Sequence, residues 1–184
     1  MRKTMAFLHT SPVHIATCNA LLAELAPTIP VQHVVDESLL TDARAAGGVT
    51  PDVARRLDAR IQSLSTSTCV VVCTCSTIGA YAEIAQVDPG TKVLRIDRAM
   101  AERAVWMGRH IVLAATLAST IEPTRNLLLS AARAAQKDVW IQELLIEQAW
   151  RQFESGNLEA YAQTIADRLL EAASEIDVIV LAQA

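Results

Sequence analysis

The sequence is poor in aromatic residues, has no run of Lys or Arg, and contains no long apolar stretch. Aromatics are only 4% of its 184 residues, against 52% hydrophobic residues and a mean hydropathy of +0.27. The core must therefore be aliphatic, a mix that suits helices layered on a parallel sheet. A net charge of −4 without a basic run argues against nucleic acid or an acidic membrane as partner. No window approaches the roughly 20 apolar residues of a membrane-crossing helix. The basic start at Met1-Arg2-Lys3 precedes an apolar run too short for a signal peptide. No second Cys/His cluster follows Cys73-Thr74-Cys75 at metal-ligand spacing, so no metal is expected. Gly47-Gly48 marks a loop bordering the first half, with no phosphate-binding fingerprint around it. Of the four cysteines, Cys18, Cys69, Cys73 and Cys75, three crowd one strand and cannot easily pair with distant partners. This is cytosolic thiol usage rather than a disulfide framework, and the expected location is cytoplasmic.

What is present is an alternation of short β-rich runs and longer amphipathic stretches. Strands are expected at 5–9, 31–35, 69–74, 93–96, 111–115, 139–141 and 177–182. Helical patterns fill 12–25, 51–63, 78–85, 99–107, 119–134, 142–154 and 158–173. Ser11-Pro12 and Thr50-Pro51 each read as a cap before a first-turn proline, and Glu122-Pro123 as a further helix opening. Fully apolar strands alternating with helices predict an α/β fold with a doubly wound parallel sheet, or two of them.

The spacing favours two. Strands begin near Met5 and Cys69, 64 residues apart, and near Ile111 and Asp177, 66 apart. Both leading strands end in hydroxyls, Thr10-Ser11 and Thr116 with Ser119-Thr120. The expectation is two pseudo-symmetric parallel-sheet lobes, 1–97 and 98–184, with helices on both faces and an active site in the cleft between them. Ligands in open α/β sheets bind at the carboxyl ends of strands. The second half stops as its matching strand finishes, so the natural chain is expected to continue beyond Ala184.

Cys75 is the main chemical candidate, a thiol where an apolar strand opens into a helix, followed by Ser76 and Thr77. Free cysteines are commonly small buried hydrophobes, and Cys69 and Cys73, earlier in the run, are assigned to packing. Thr10, Ser11, Thr116, Ser119 and Thr120 stand at the other strand ends; Ser11 and Ser119 also suit helix capping. Among the histidines only His14 is retained as a candidate base. His33 and His110 read as core or strand residues. Asp97-Arg98 reads as a helix start with a solvated pair, and Trp106, Trp140 and Trp150 as helix packing or a homodimer surface.

The chain resembles the aspartate/glutamate racemase superfamily. The resemblance rests on Cys73-Thr74-Cys75-Ser76-Thr77, on Val93-Leu94-Arg95-Ile96-Asp97 with Met100-Ala101-Glu102, on Ala115-Thr116-Leu117-Ala118-Ser119-Thr120, and on Asp177-Val178-Ile179-Val180-Leu181-Ala182-Gln183. It implies a cofactor-independent isomerase of amino-acid metabolism in which Cys75 moves the α-proton of a small amino acid or carboxylate. Ser76, Thr77 and Thr116 would take the substrate carboxylate, with Ser11 and Thr120 as further contacts. Gln183 stands where the family's second cysteine is expected, and an amide does not trade protons at neutral pH. Two alternatives follow: a single-cysteine enzyme like the arylmalonate decarboxylases, and an inactive carboxylate-binding protein that kept the cleft.

Overall fold

The computed structural model describes residues 4–172 and 175–182. Two compact units meet in the chain at Asp97 and Arg98.

The first unit contains β1 (Met5–His9), α1 (His14–Leu25), β2 (Val31–Val35), α2 (Glu37–Ala45), α3 (Pro51–Ser65), β3 (Val70–Cys73), α4 (Ser76–Glu83) and β4 (Lys92–Arg95). Its sheet is parallel throughout, in the order β2-β1-β3-β4. Side chains alternate along β1, so its two faces serve different purposes. Ala6 and Leu8 pack with Val71 and Cys73 of β3 against Leu57, Ile61 and Ile78. Phe7 and His9 take the other face, where their rings stack with His33 and, for His9, with His14.

Helix α3 shows how the sequence specifies this core. Thr50 is its N-cap and accepts a hydrogen bond from the Val53 N–H at 3.3 Å, and Pro51 occupies the first turn. Val53, Leu57, Ile61 and Leu64 then recur at helical spacing and are all buried.

The second unit contains α5 (Arg98–Met107), β5 (His110–Ala115), α6 (Ala118–Ala134), β6 (Trp140–Leu145), α7 (Glu147–Glu154), α8 (Leu158–Ala172) and β7 (Val178–Leu181). Its parallel sheet has the order β6-β5-β7. The central strand β5 is buried on both faces. Ile111 and Leu113 meet Val178, Val180, Leu127 and Leu128, while Ala114 meets Ile146 and Ala149. Gly108 has no room for a side chain, since a Cβ there would lie 2.1 Å from that of Asp177.

Several elements differ from the sequence reading. Residues 142–145 continue β6 instead of starting a helix, because β6 pairs with β5 along six residues, from His110–Trp140 to Ala115–Leu145. Helix α6 opens at Ala118, not at Glu122-Pro123, and carries Pro123 inside. That proline is the sixth residue of the helix, in its second turn, and it removes the one intrahelical bond that the residue 123 N–H would make to the Ser119 carbonyl. Helix α2 is an addition, in a segment where no element was expected. Trp140 lies at the start of β6, within the strand expected at 139–141, and stacks on His110 with ring centres 3.9 Å apart. Among the described residues no helix is long and apolar enough to cross a membrane.

Leu57→Ala should lower stability by about 2–5 kcal/mol, because a fully buried side chain leaves a cavity. Leu25→Ala, at a position 75% exposed, should stay within about 0.5 kcal/mol. Urea unfolding of the two variants checks the contrast.

Candidate functional site

In the first sheet β2 lies on one side of β1 and β3 on the other, so the order reverses between β1 and β3. Open α/β sheets bind ligands in the crevice at such a switch point, beyond the carboxyl ends of the strands. The Thr74 N–H donates to the Leu8 carbonyl at 3.1 Å, which holds the two ends side by side. Thr10 and Ser11 leave from β1, and Cys75, Ser76 and Thr77 from β3. The second sheet has its own reversal between β5 and β7. There buried Thr116 follows β5, and buried Thr120 lies in the first turn of α6. Gln183 lies outside the described residues.

Cys75 is the N-cap residue of α4, in an extended conformation, and its thiol makes no capping hydrogen bond. It retains 9% exposure, while Cys73 two residues earlier has none. Burial pushes the Cys73 thiol up to about 12, reinforced by the neighbouring Cys75, and its Sγ donates to the Cys75 carbonyl at 3.7 Å. Cys73 is thus a protonated structural thiol under the turn. Cys69 is half-buried and its thiol donates to the Thr4 carbonyl at 3.4 Å.

A buried ion pair supports the same turn. Arg95, 3% exposed, donates Nε to Asp97 Oδ1 at 2.6 Å and a terminal nitrogen to Asp97 Oδ2 at 2.8 Å. That nitrogen also lies 3.5 Å from the Ser76 carbonyl. Gly79 lets α4 approach, because a Cβ there would sit 3.0 Å from Arg95 Nε. Asp97 therefore holds Arg95 with both carboxylate oxygens, in the interior, and is more than a solvated residue at a helix start. The two residues are near neighbours in sequence, but their burial shows only once the β3–β4 register sets Arg95 opposite Cys73 and Gly79 of α4 packs on it.

Two capping expectations are corrected. Val13 is the N-cap residue of α1, and Ser11 Oγ accepts only a long 3.5 Å bond from the Val13 N–H. Leu117 takes the N-cap position of α6, so Ser119 falls inside the first turn. Ser11 instead lines a hollow of about 510 Å³ with Thr10, Glu37, Leu40, Thr41 and Arg44. Cys75 does not line it. Arg44 is the residue that sequence reasoning missed, because α2 itself was missed; Leu39, Leu40 and Ala43 carry the helical spacing that could have found it.

His9 is buried at the end of β1 and bonds to Thr74 Oγ1 and to His33. Burial, then the His33 and His14 charges, lowers its pKa from 6.5 to about 4. His14, at the start of α1, is exposed and in ring contact with His9. Among the described residues no cluster of three or more His, Cys, Asp or Glu could hold a metal ion.

Asp97→Ala should destabilise by about 3–5 kcal/mol, because it strands a buried guanidinium. Asp52→Ala, which breaks exposed pairs with Arg55 and Arg56, should cost less than about 1 kcal/mol. His9 gives a pH dependence of known sign. Unfolded, it takes up its proton near 6.5, whereas the folded form resists down to about 4. Its contribution is full above 6.5 and disappears as pH falls toward 4, a total of roughly 3 kcal/mol. Denaturation at pH 7.5 and 4.5 should show a smaller acid loss in His9→Gln than in the parent.

No protein-family model matches the chain, and no curated protein matches its sequence. The structure is similar to that of the Picrophilus torridus aspartate racemase, with a TM-score of 0.70 at 15% identity, over 99% of this chain and 80% of that one. The chain has the two-unit α/β fold of an aspartate racemase.

Proposed function

We propose that the protein is a cofactor-independent enzyme of the racemase type, acting at the α-carbon of a small amino acid or carboxylate through Cys75. The observation that carries this reading is the position of Cys75. It caps a helix at the β1–β3 switch point, keeps some exposure, and leaves the first-turn N–H groups of α4 without a side-chain cap.

The chemistry follows from elementary requirements. The Cys75 thiolate takes the α-proton and becomes a thiol. The electron pair of the broken C–H bond delocalises into the substrate carboxylate as a planar enediolate. Helix N-terminal N–H groups and the hydroxyls of Ser76 and Thr77 suit that charge, with Ser11 at the neighbouring strand end. At the second unit's switch point Thr116 and Thr120 are the candidate carboxylate contacts. Return of a proton to the carbon completes exchange, on the same face or the opposite one.

A second reading is favoured by one residue. Gln183 offers no acid or base at neutral pH, which suits one-sided proton transfer, as in a single-cysteine decarboxylase, better than two-thiol racemisation. A carboxylate-binding protein without turnover is the remaining alternative.

Small amino acids and carboxylates incubated with the protein in deuterated water should acquire deuterium at the α-carbon. Cys75→Ser should slow that exchange by about 10²–10⁴-fold. Iodoacetamide should label Cys75 well before Cys73, whose thiol is buried and protonated. No exchange on any candidate, with Cys75 unlabelled, would refute the enzyme; exchange without inversion would select the one-sided reaction.

A further inference from the structure

On the face of the sheet opposite Cys73, a string of side chains runs from the β3 exit to the surface. Thr74 Oγ1 lies 3.0 Å from His9 Nδ1, His9 Nε2 lies 2.9 Å from His33 Nδ1, and His33 Nε2 lies 2.9 Å from Asn19 Oδ1. Thr74 Oγ1 is also 3.4 Å from the Leu8 carbonyl oxygen. His9 is fully buried, while Asn19 on α1 is exposed.

Counting protons fixes the direction of every bond. Asn19 Oδ1 can only accept, so His33 Nε2 carries a hydrogen. With both rings neutral, His33 Nδ1 is a lone pair and accepts from the His9 Nε2–H. His9 Nδ1 is then also a lone pair, and the Thr74 hydroxyl donates to it. One more proton on the pair changes this, whichever ring holds it. On His33 it makes Nδ1 a donor to His9 Nε2, and the hydrogen of His9 moves to Nδ1. On His9 it sits at Nδ1 directly. In both cases His9 Nδ1–H donates to Thr74 Oγ1, and the hydroxyl hydrogen turns to the Leu8 carbonyl.

The geometry points to His9, His33 and Asn19 as positioning residues for the Cys75 turn: one proton taken up by the His9–His33 pair reverses the Thr74 hydroxyl and adds a second bond from Thr74 to Leu8. The effect on chemistry rests on the reading of Cys75 as the base; the reversal at Thr74 does not.

The groups facing the pair are few. From β1, Phe7 stacks on both rings, and from α1 come His14, 6.4 Å from His9 between ring centres, and Asn19. At the end of β2 the Asp36 N–H donates to the His9 carbonyl, while its carboxylate is held by Ser38 and Arg60. Just beyond β3 comes Thr74, because Cys73 and Cys75 pack in the cluster on the other face. Among the described residues no carboxylate bonds directly to either ring in the string, and Asn19→Asp supplies one at an exposed position that leaves the core untouched.

Nitrogen-15 spectra of the imidazoles, the Thr74 amide resonance and the Cys75 alkylation rate are measured from pH 4 to 8 on the full chain. His9 is expected as the Nε2–H tautomer at neutral pH, with Thr74 and Cys75 changing at the midpoint of the pair. Asn19→Asp should raise that midpoint by about one to three pH units at all three readouts. His9 found as the Nδ1–H tautomer at neutral pH, or Thr74 and Cys75 blind to Asn19→Asp while the imidazoles shift, would overturn the string. Deuterium exchange separates the two claims. Its absence with Thr74 still following the pair defeats the base assignment alone; its persistence with Thr74 unresponsive defeats the string alone.

Discussion

The pairing of β1 with β3 is the constraint on which the first unit depends. It runs in parallel from Met5–Val70 to Leu8–Cys73 and extends one step further, where the Thr74 N–H reaches the Leu8 carbonyl. Because β2 lies beyond β1 and β4 beyond β3, this is also where the sheet reverses its order. Chain that leaves the strands here has unused backbone groups and a crevice to fill. The extended backbone of Cys75 carries the strand's alternation past its last paired residue, so neighbouring residues face opposite layers. Cys73 and Cys75 join the aliphatic cluster; Thr74 joins the histidines. One register thus supplies a thiol on one face and a polar string on the other, and a slip of one residue would exchange them.

Both faces then carry a buried polar group with a partner, and the two are satisfied differently. Arg95 keeps its charge because Asp97 meets it with two short bonds. His9 avoids charge instead, and its depressed pKa measures how poorly that environment accepts a proton. Placing an imidazolium there costs free energy that a carboxylate could offset, and Asn19 offers only a neutral oxygen. The ion pair is therefore a permanent brace under α4, whereas the histidine string changes state within the pH range of proteins. Gly79 belongs to the brace, since a Cβ there would lie 3.0 Å from Arg95 Nε and require Arg95 or α4 to shift.

The sequence made the fold class legible because the signals were long and redundant. Apolar strands alternated with amphipathic helices, and the paired spacings suggested two units. Local competition defeated finer readings. Residues 142–145 fit either period, and only six rungs of pairing with β5 made them strand. Glu122-Pro123 looked like an opening because a proline at a helix start and one a turn later differ little in sequence. At the candidate site Cys75 could be found from its neighbours in the chain. The string from Thr74 to Asn19 could not, because residues 14, 24 and 65 apart in sequence become neighbours only in the fold, and the Arg95–Asp97 pair, two residues apart, gives no sign in sequence that it is buried. A lone histidine in a strand carries no sign of whether it is packing or part of a chain.

A thiol at a strand end becomes a base only if its surroundings favour the anion over the neutral form. Cys73 shows the opposite case two residues away, where full burial keeps the proton on sulfur. What distinguishes Cys75 is its place at a helix start with residual access to solvent, where uncapped N–H groups present partial positive charge. The same groups would attract a carboxylate, so thiolate and substrate compete for one electrostatic resource. A second source of positive charge relieves that competition, and the His9–His33 pair is the titratable element bonded to the residue next to Cys75. Its protonation strengthens the field without occupying the crevice. A one-sided reaction, with Gln183 unable to share the proton traffic, would gain most from a charge that can be switched on beside the single thiol.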